Sequence, residues 1–253
     1  MHSNAILAIL TVMLNRNIIF LPGFMCDERL FAKQIGTFKN IGLTPVTANS
    51  SKHDNISLMA KSILAETGGK FALVGLSMGG IIALEIYKQA PERVTHLALL
   101  NSTPFADRSQ TQRHEHIARA QQGEILSIIS EDLKPKYLAP ANHNPEILRL
   151  VIKMAEKLGA EVFVRQSLAL LYRGHYLDVL SQIKCPTLIL TGKQDGVCGT
   201  DIAEYMADRI RRAKYVALDN CGHLSTLEQA DQVTHELADL LDVKFKNQIG
   251  VNA

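Results

Sequence analysis

The chain lacks an apolar run long enough to cross a bilayer. Its N-terminal stretch Ala5–Leu14, AILAILTVML, covers ten residues, against the ~20 a spanning helix needs. Only His2 precedes that run where a secretion signal carries Lys or Arg, and no small-residue cleavage site follows cleanly. Residues 1–12 are therefore read as a poorly ordered or non-native extension ahead of a strand, with a weak export or tethering segment as the alternative. Cysteine is sparse. Cys26, Cys185, Cys198 and Cys221 form no C-x-x-C pair, which removes the usual zinc and thioredoxin spacings. Unpaired thiols suit a reducing compartment, so a cytoplasmic location is expected. Charge of one sign is also missing. Lys plus Arg number 27 and Asp plus Glu 25, for a net +2, with no dense basic block. That gives no electrostatic footprint for nucleic acid. No repeat of 20–50 residues and no low-complexity segment occurs. What remains, at 253 residues and 47% hydrophobic, is one large globular domain or a core with an insertion.

Short apolar runs bounded by turn residues are plentiful. Asn17–Leu21, Leu43–Ala48, Phe71–Val74, Val94–Leu100, Pro186–Leu190 and Tyr215–Leu218 read as strands. Helical spacing falls between and after them, at Ile56–Glu66, Ile81–Gln89, Asp201–Ile210 and Thr226–Leu241. Such alternation predicts an α/β fold with a mostly parallel sheet covered on both faces. It breaks once. From Pro104 to Gln182 helix-like segments follow one another, at Gln112–Gln121, Glu124–Ser130, Pro145–Leu158 and Glu161–Tyr172. The expected organisation is a core of residues 13–103 and 183–245, a helical cap over 104–182 and a tail over 246–253.

One turn carries chemistry. Gly75-Leu76-Ser77-Met78-Gly79 lies where an apolar strand hands over to a helix, and it fits the G-x-S-x-G elbow. A serine on so sharp a turn needs neighbours without a Cβ at minus two and plus two. Its hydroxyl then stands at a helix N-terminus, where developing negative charge is favoured. A serine nucleophile needs a base, and the base an orienting acid. Asp195, in LTGKQD, follows the Pro186–Leu190 strand, and His223, in LDNCGHLS, follows Tyr215–Leu218. Both fall on loops at the C-terminal edge of the sheet, in the chain order Ser, Asp, His that elbow enzymes use. Two N–H donors are also required for an oxyanion. The residue after the nucleophile, Met78, supplies one; the FLPGF turn offers the N–H of Phe24 as the other.

The stretches FLPGFMCDERLF, FALVGLSMGGIIALEIYKQAPERVTHLALLNSTP, CPTLILTGKQD and CGHLSTLEQADQV resemble the α/β-hydrolase superfamily. More narrowly they are similar to its small capped members: carboxylesterases, enol-lactone hydrolases and meta-cleavage-product hydrolases. The resemblance covers about residues 17–103 and 183–242. It implies a Ser77–Asp195–His223 triad, a Phe24/Met78 oxyanion hole and no cofactor. Two departures stand out. Pro22-Gly23 replaces the His-Gly that many relatives carry, and the two antiparallel strands that usually open the fold are missing. A trimmed sheet of about six strands follows. Asn101 occupies the alternative acid position of some relatives and is not acidic, which favours Asp195.

Rival sites are weaker. His114-Glu115-His116 lacks H-E-x-x-H spacing and reads as a solvated helix face, so no metal is expected. Cys221 lies two residues before His223, but no elbow presents it. Arg113, Arg119, Arg149, Arg165 and Arg173 fall in the insertion. They read first as surface or ion-pair residues, and second as receptors for an anionic substrate tail. The expected activity is hydrolysis of a small carboxylic ester or lactone by a monomer or homodimer. C–C bond hydrolysis of a dienoate, thioester hydrolysis, and a catalytically weak ligand-binding protein are the alternatives.

Overall fold

A computed structural model describes residues 17–133, 136–140 and 144–244. The expected N-terminal extension and the C-terminal tail lie outside the described residues. Six strands form one sheet: β1 (Asn17–Leu21), β2 (Thr44–Thr47), β3 (Phe71–Leu76), β4 (Val94–Leu100), β5 (Thr187–Gly192) and β6 (Ala213–Leu218). Their spatial order is β2-β1-β3-β4-β5-β6, and every neighbouring pair is parallel. The described sheet is thus the trimmed, six-stranded one that the sequence predicts.

Period-two alternation builds two cores, one on each face. Ile19 and Leu21 of β1, with Phe71 and Leu73 of β3, enter one cluster. Their neighbours Ile18, Phe20, Ala72 and Val74 enter the other. The first face is covered by α2 (Ile56–Glu66), α3 (Met78–Gln89) and, further along, α6 (Thr200–Ala207), named here in chain order with the helices below. The second is covered by α1 (Ala32–Asn40) and α7 (Ala230–Leu240) through Phe38, Val233 and Leu237. Helix α3 is buried almost all round, which an apolar sequence such as MGGIIALEIY permits. Pro45 sits on the edge strand β2, where its missing N–H costs no ladder bond to a further strand.

Between β4 and β5 the chain forms α4 (Gln110–Gln121), a short helical turn Ile125–Ser127, a π-helical turn Ile128–Leu133 and α5 (Pro145–Leu171). Helix α5 is interrupted at Gly159, whose φ of 78° breaks it into two halves close to the expected Leu158/Glu161 division. Helix α1 is a feature that periodicity does not reveal. Its sequence AKQIGTFKN buries only Gln34 and Phe38, too sparse a stripe to read. No helix among the described residues is long and apolar enough to cross a membrane.

The strand order places a switch point between β1 and β3: the chain leaves β1 for β2 on one side and returns to β3 on the other. Ligands of open parallel sheets bind beyond the carboxyl ends of strands at such a point. Here Leu21 pairs with Gly75, so the loop after β1 and the loop after β3 emerge side by side.

Candidate active site

Ser77 is the hinge between β3 and α3, with φ 55° and ψ −116°. That left-handed backbone is unusual for a residue with a side chain and is held by its surroundings. The Ser77 N–H donates to Leu100 O (2.9 Å), and its carbonyl accepts from the Ser102 hydroxyl (2.8 Å). A Cβ on Gly75 would overlap the Gly79 backbone, as the steric argument for the turn requires. Gly79 adds something the motif does not say: its Cβ would overlap the Leu21 carbonyl, so its bareness lets α3 sit against β1. Gly79 and Gly80 therefore belong to the first turn of α3, which begins at Met78 rather than Ile81. The Met78 N–H, at the first helical position, has no partner within the helix.

The structure brings Asp195 and His223 together. His223 Nδ1 lies 3.0 and 2.9 Å from the two Asp195 carboxylate oxygens, and both side chains are buried. An ionised carboxylate only accepts, so Nδ1 carries a proton; in the neutral imidazole Nε2 is then the acceptor. Burial raises the Asp195 pKa, but His223, the Cys198 N–H and the Asn101 amide together outweigh it and hold the carboxyl below the usual range. No hydrogen bond joins the His223 imidazole to the Ser77 hydroxyl, so the geometry unites two of the three predicted side chains directly. The Ser77 hydroxyl opens instead into a cavity of about 400 Å³. Tyr137 lines the same cavity, and its ring lies edge-on to the His223 ring at 5.0 Å between centroids.

Several residues around this pair escape sequence reasoning. Asn101, dismissed as a non-acidic position, donates from Nδ2 to Asp195 Oδ2 (2.9 Å) and to Gly222 O (3.1 Å). The other carboxylate oxygen accepts from the N–H groups of Val197 (2.8 Å) and Cys198 (2.9 Å). Glu228 clasps the histidine loop. Its carboxylate accepts from Gly222 N (3.0 Å), Leu224 N (3.1 Å) and Ala139 N (2.8 Å), tying the loop to the helical insertion. The Tyr137 carbonyl accepts from His223 N at 2.6 Å. On the other side, Gln166 of α5 accepts from Met25 N (2.9 Å). Met25 has φ 53°, so this bond fixes the backbone of the loop that carries Phe24. A carboxylate five residues beyond a candidate histidine is the one sequence signal that could have pointed to Glu228.

The cavity is lined in part by Phe24, Met78 and Ile81 from the core and by Arg113, Leu170 and Arg173 from the insertion. Phe24 stacks edge-on against Phe163 of α5 at 5.1 Å. His116 is a correction: His114 and Glu115 are exposed, but His116 is buried, lines the cavity and lies 3.6 Å from Asp132. No His/Cys/Asp/Glu cluster suited to a metal occurs among the described residues. Cys221 is fully buried, and burial together with Glu228 and Asp195 pushes its thiol pKa well up, away from the reactive thiolate.

Known proteins share the fold and much of the sequence pattern. The chain is 26% identical over 196 residues to a pimeloyl-[acyl-carrier protein] methyl ester esterase of Nitrosomonas europaea, covering 71% of this chain and 74% of that protein. It is 29% identical over 195 residues to a proline iminopeptidase of Lactobacillus helveticus, covering 68% and 66%. Among solved structures, a thermophilic esterase from Thermogutta terrifontis superimposes with a TM-score of 0.80 at 22% identity, covering 89% of each chain. An enol-lactonase from Burkholderia xenovorans gives 0.81 at 18%, covering 90% of this chain and 92% of that one. A family model matches residues 44–236, from β2 to the middle of α7. With the elbow at Ser77 and the parallel sheet beneath it, the chain belongs to the α/β hydrolase family.

Proposed function

We propose that the protein is a serine hydrolase of a small carboxylic ester, with Ser77 as nucleophile, His223 as general base and acid, and Asp195 as orienting acid. His223 Nε2 takes the Ser77 proton as Oγ attacks the ester carbonyl. The N–H groups of Phe24 and Met78 stabilise the oxyanion, aided by the N-terminus of α3. His223 then returns the proton to the leaving alkoxide, and the acyl group stays on Ser77. Water, deprotonated by the same imidazole, attacks the acyl-enzyme and releases the acid. The hydrogen bond between Ser77 and His223 forms when substrate enters, since catalytic contacts of empty sites tighten in the complex.

The observation that carries this reading is the buried Asp195–His223 pair, packed against Tyr137, which lines the cavity into which Ser77 opens. An ester rather than a peptide is favoured by the esterase among the relatives and by the esterase and enol-lactonase among the structural neighbours. The test is covalent labelling with a fluorophosphonate, followed by turnover of p-nitrophenyl esters of graded chain length, lactones and acyl thioesters. Wild type labels and turns over short esters; Ser77→Ala does neither. An unlabelled wild type, or equal labelling of Ser77→Ala, sinks the assignment.

A further inference from the structure

The part of the cavity wall contributed by the insertion carries more positive charge than its acids neutralise. Asp107 is buried, and its carboxylate is shared by two guanidinium groups, Arg113 through Nε and Arg173 at 3.6 Å. Its second oxygen accepts from Ser109 N (2.9 Å). Arg173, whose side chain is 7% exposed, is also occupied by the carbonyls of Phe105 (3.0 Å) and Leu170 (2.9 Å). Arg113 is not. Its Nε meets Asp107, while neither terminal nitrogen has a hydrogen-bond partner among the described residues. Its guanidinium carbon stands 5.9 Å from the centroid of Phe24, the residue whose backbone N–H is assigned to the oxyanion. Two guanidinium groups against one carboxylate leave a single positive charge on the wall. The other acid in the lining, Asp132, is already engaged by Arg119 (2.6 Å) and His116 (3.6 Å). Arg108 and Lys136 add two exposed cations that make no ion pair among the described residues.

We propose that Arg113 receives a carboxylate on the substrate, so that the ester cleaved is a hemiester of a dicarboxylic acid. This rests on the reading of Ser77 as nucleophile. The free N–H groups of a guanidinium form a planar fork that suits the two oxygens of a carboxylate. The one charge left uncompensated within the Asp107–Arg113–Arg173 cluster matches a monoanion, and Arg108 and Lys136 add to the field that attracts it. The apolar surface of Met78, Ile81 and Leu170 suits the methylene stem between the ester and the free carboxylate. Hydrolysis consumes one water and yields the alcohol and the dicarboxylate. In the proposed complex the ion pair lies beyond the acyl carbons, not at the reacting bond.

The experiment compares mono-p-nitrophenyl esters of succinate, glutarate and adipate with the same esters capped as methyl diesters. Wild type favours the free hemiester in kcat/KM by on the order of tenfold or more at one chain length. Arg113→Gln collapses that ratio toward one, chiefly through KM, and Arg113→Lys restores part of it. Added salt raises KM for the hemiester more than for its capped form in the wild type, which keeps the test decisive should the Gln variant fail to fold. A wild type that labels with fluorophosphonate yet shows no hemiester preference at any length overturns the proposal while leaving the hydrolase intact. So does an undiminished ratio in folded Arg113→Gln, or a stronger preference for a phosphopantetheine thioester, which would move the anion to a carrier. An unlabelled wild type instead refutes the hydrolase on which the proposal stands.

Discussion

Glu228→Ala is the substitution that most directly tests how the histidine loop is held. In the native protein this carboxylate accepts three backbone N–H bonds at 2.8–3.1 Å, from Ala139, Gly222 and Leu224. All three donors belong to buried residues. Alanine leaves them without an acceptor, and each buried unsatisfied donor costs about 1–3 kcal/mol. Water reaches part of the half-buried Glu228 site, so the sum is taken at the lower end, at about 3–6 kcal/mol. That is a large fraction of a typical 5–15 kcal/mol stability. For a chain of this size it corresponds to a melting temperature lower by on the order of 6–24 °C. Urea unfolding and thermal melting read the stability. Esterase kinetics on the folded protein at low temperature read the site, where kcat falls because His223 is one residue from two of the released N–H groups. Glu228→Gln keeps one oxygen for the Ala139 and Gly222 donors but sets an NH2 against Leu224 N–H, so its loss is intermediate. If Glu228→Ala stays within about 1 kcal/mol of wild type with unchanged kcat/KM, the clasp is not what fixes this loop.

Asn101→Ala removes one donor from Asp195 Oδ2 while His223 and two backbone N–H groups remain. Its kcat/KM drops about tenfold with a smaller change in melting temperature, as a lost hydrogen bond to a charged group implies; ester kinetics and calorimetry separate the two. The Asp195 carboxyl is depressed in the folded protein, so the stability it contributes is full above the unfolded aspartate pKa of about 3.9 and is lost as pH falls through the lower folded value. Asp195→Asn removes that contribution. The stability gap between wild type and variant, measured by urea unfolding, is largest above pH 5 and narrows toward pH 3; a gap that widens on acidification contradicts the assigned direction.

The sheet was legible because each buried strand is a short apolar run punctuated by Gly or Pro, and the two-residue period then divides it between two faces. Asp195 and His223 could be located because they stand just beyond strands whose ends are marked, at one edge of the sheet. Asn101 could not. Its part depends on a positive φ of 47° and on a loop 94 positions later, neither of which leaves a local pattern. Helix α1 and the cavity face of His116 escaped for a related reason: one buried side chain per turn is below what periodicity can register. Arg113 and Arg173 were visible as arginines, yet their sharing of one carboxylate is a tertiary fact.

The helical insertion does more than cover the cavity. Three of its backbone or side-chain groups are bonded directly to the loops of the site: the Tyr137 carbonyl to His223 N, Ala139 N to Glu228, and Gln166 to Met25 N. The first two bear on the histidine loop and the third on the loop assigned to the oxyanion. Each spans a sequence separation of 86 (223 − 137), 89 or 141 residues, so none forms until core and insertion have docked. Ser77 itself needs no such help, since its strained backbone is held by Leu100 and Ser102 from within the core. On the proposed roles, a loosened insertion therefore leaves Ser77 and the Met78 N–H presented but misplaces His223 and the Phe24 loop. Damage to α5 should then appear as lost kcat before it appears as lost secondary structure. Substitutions confined to the insertion's outer face, such as at Arg149, touch none of these three bonds and leave that coupling in place.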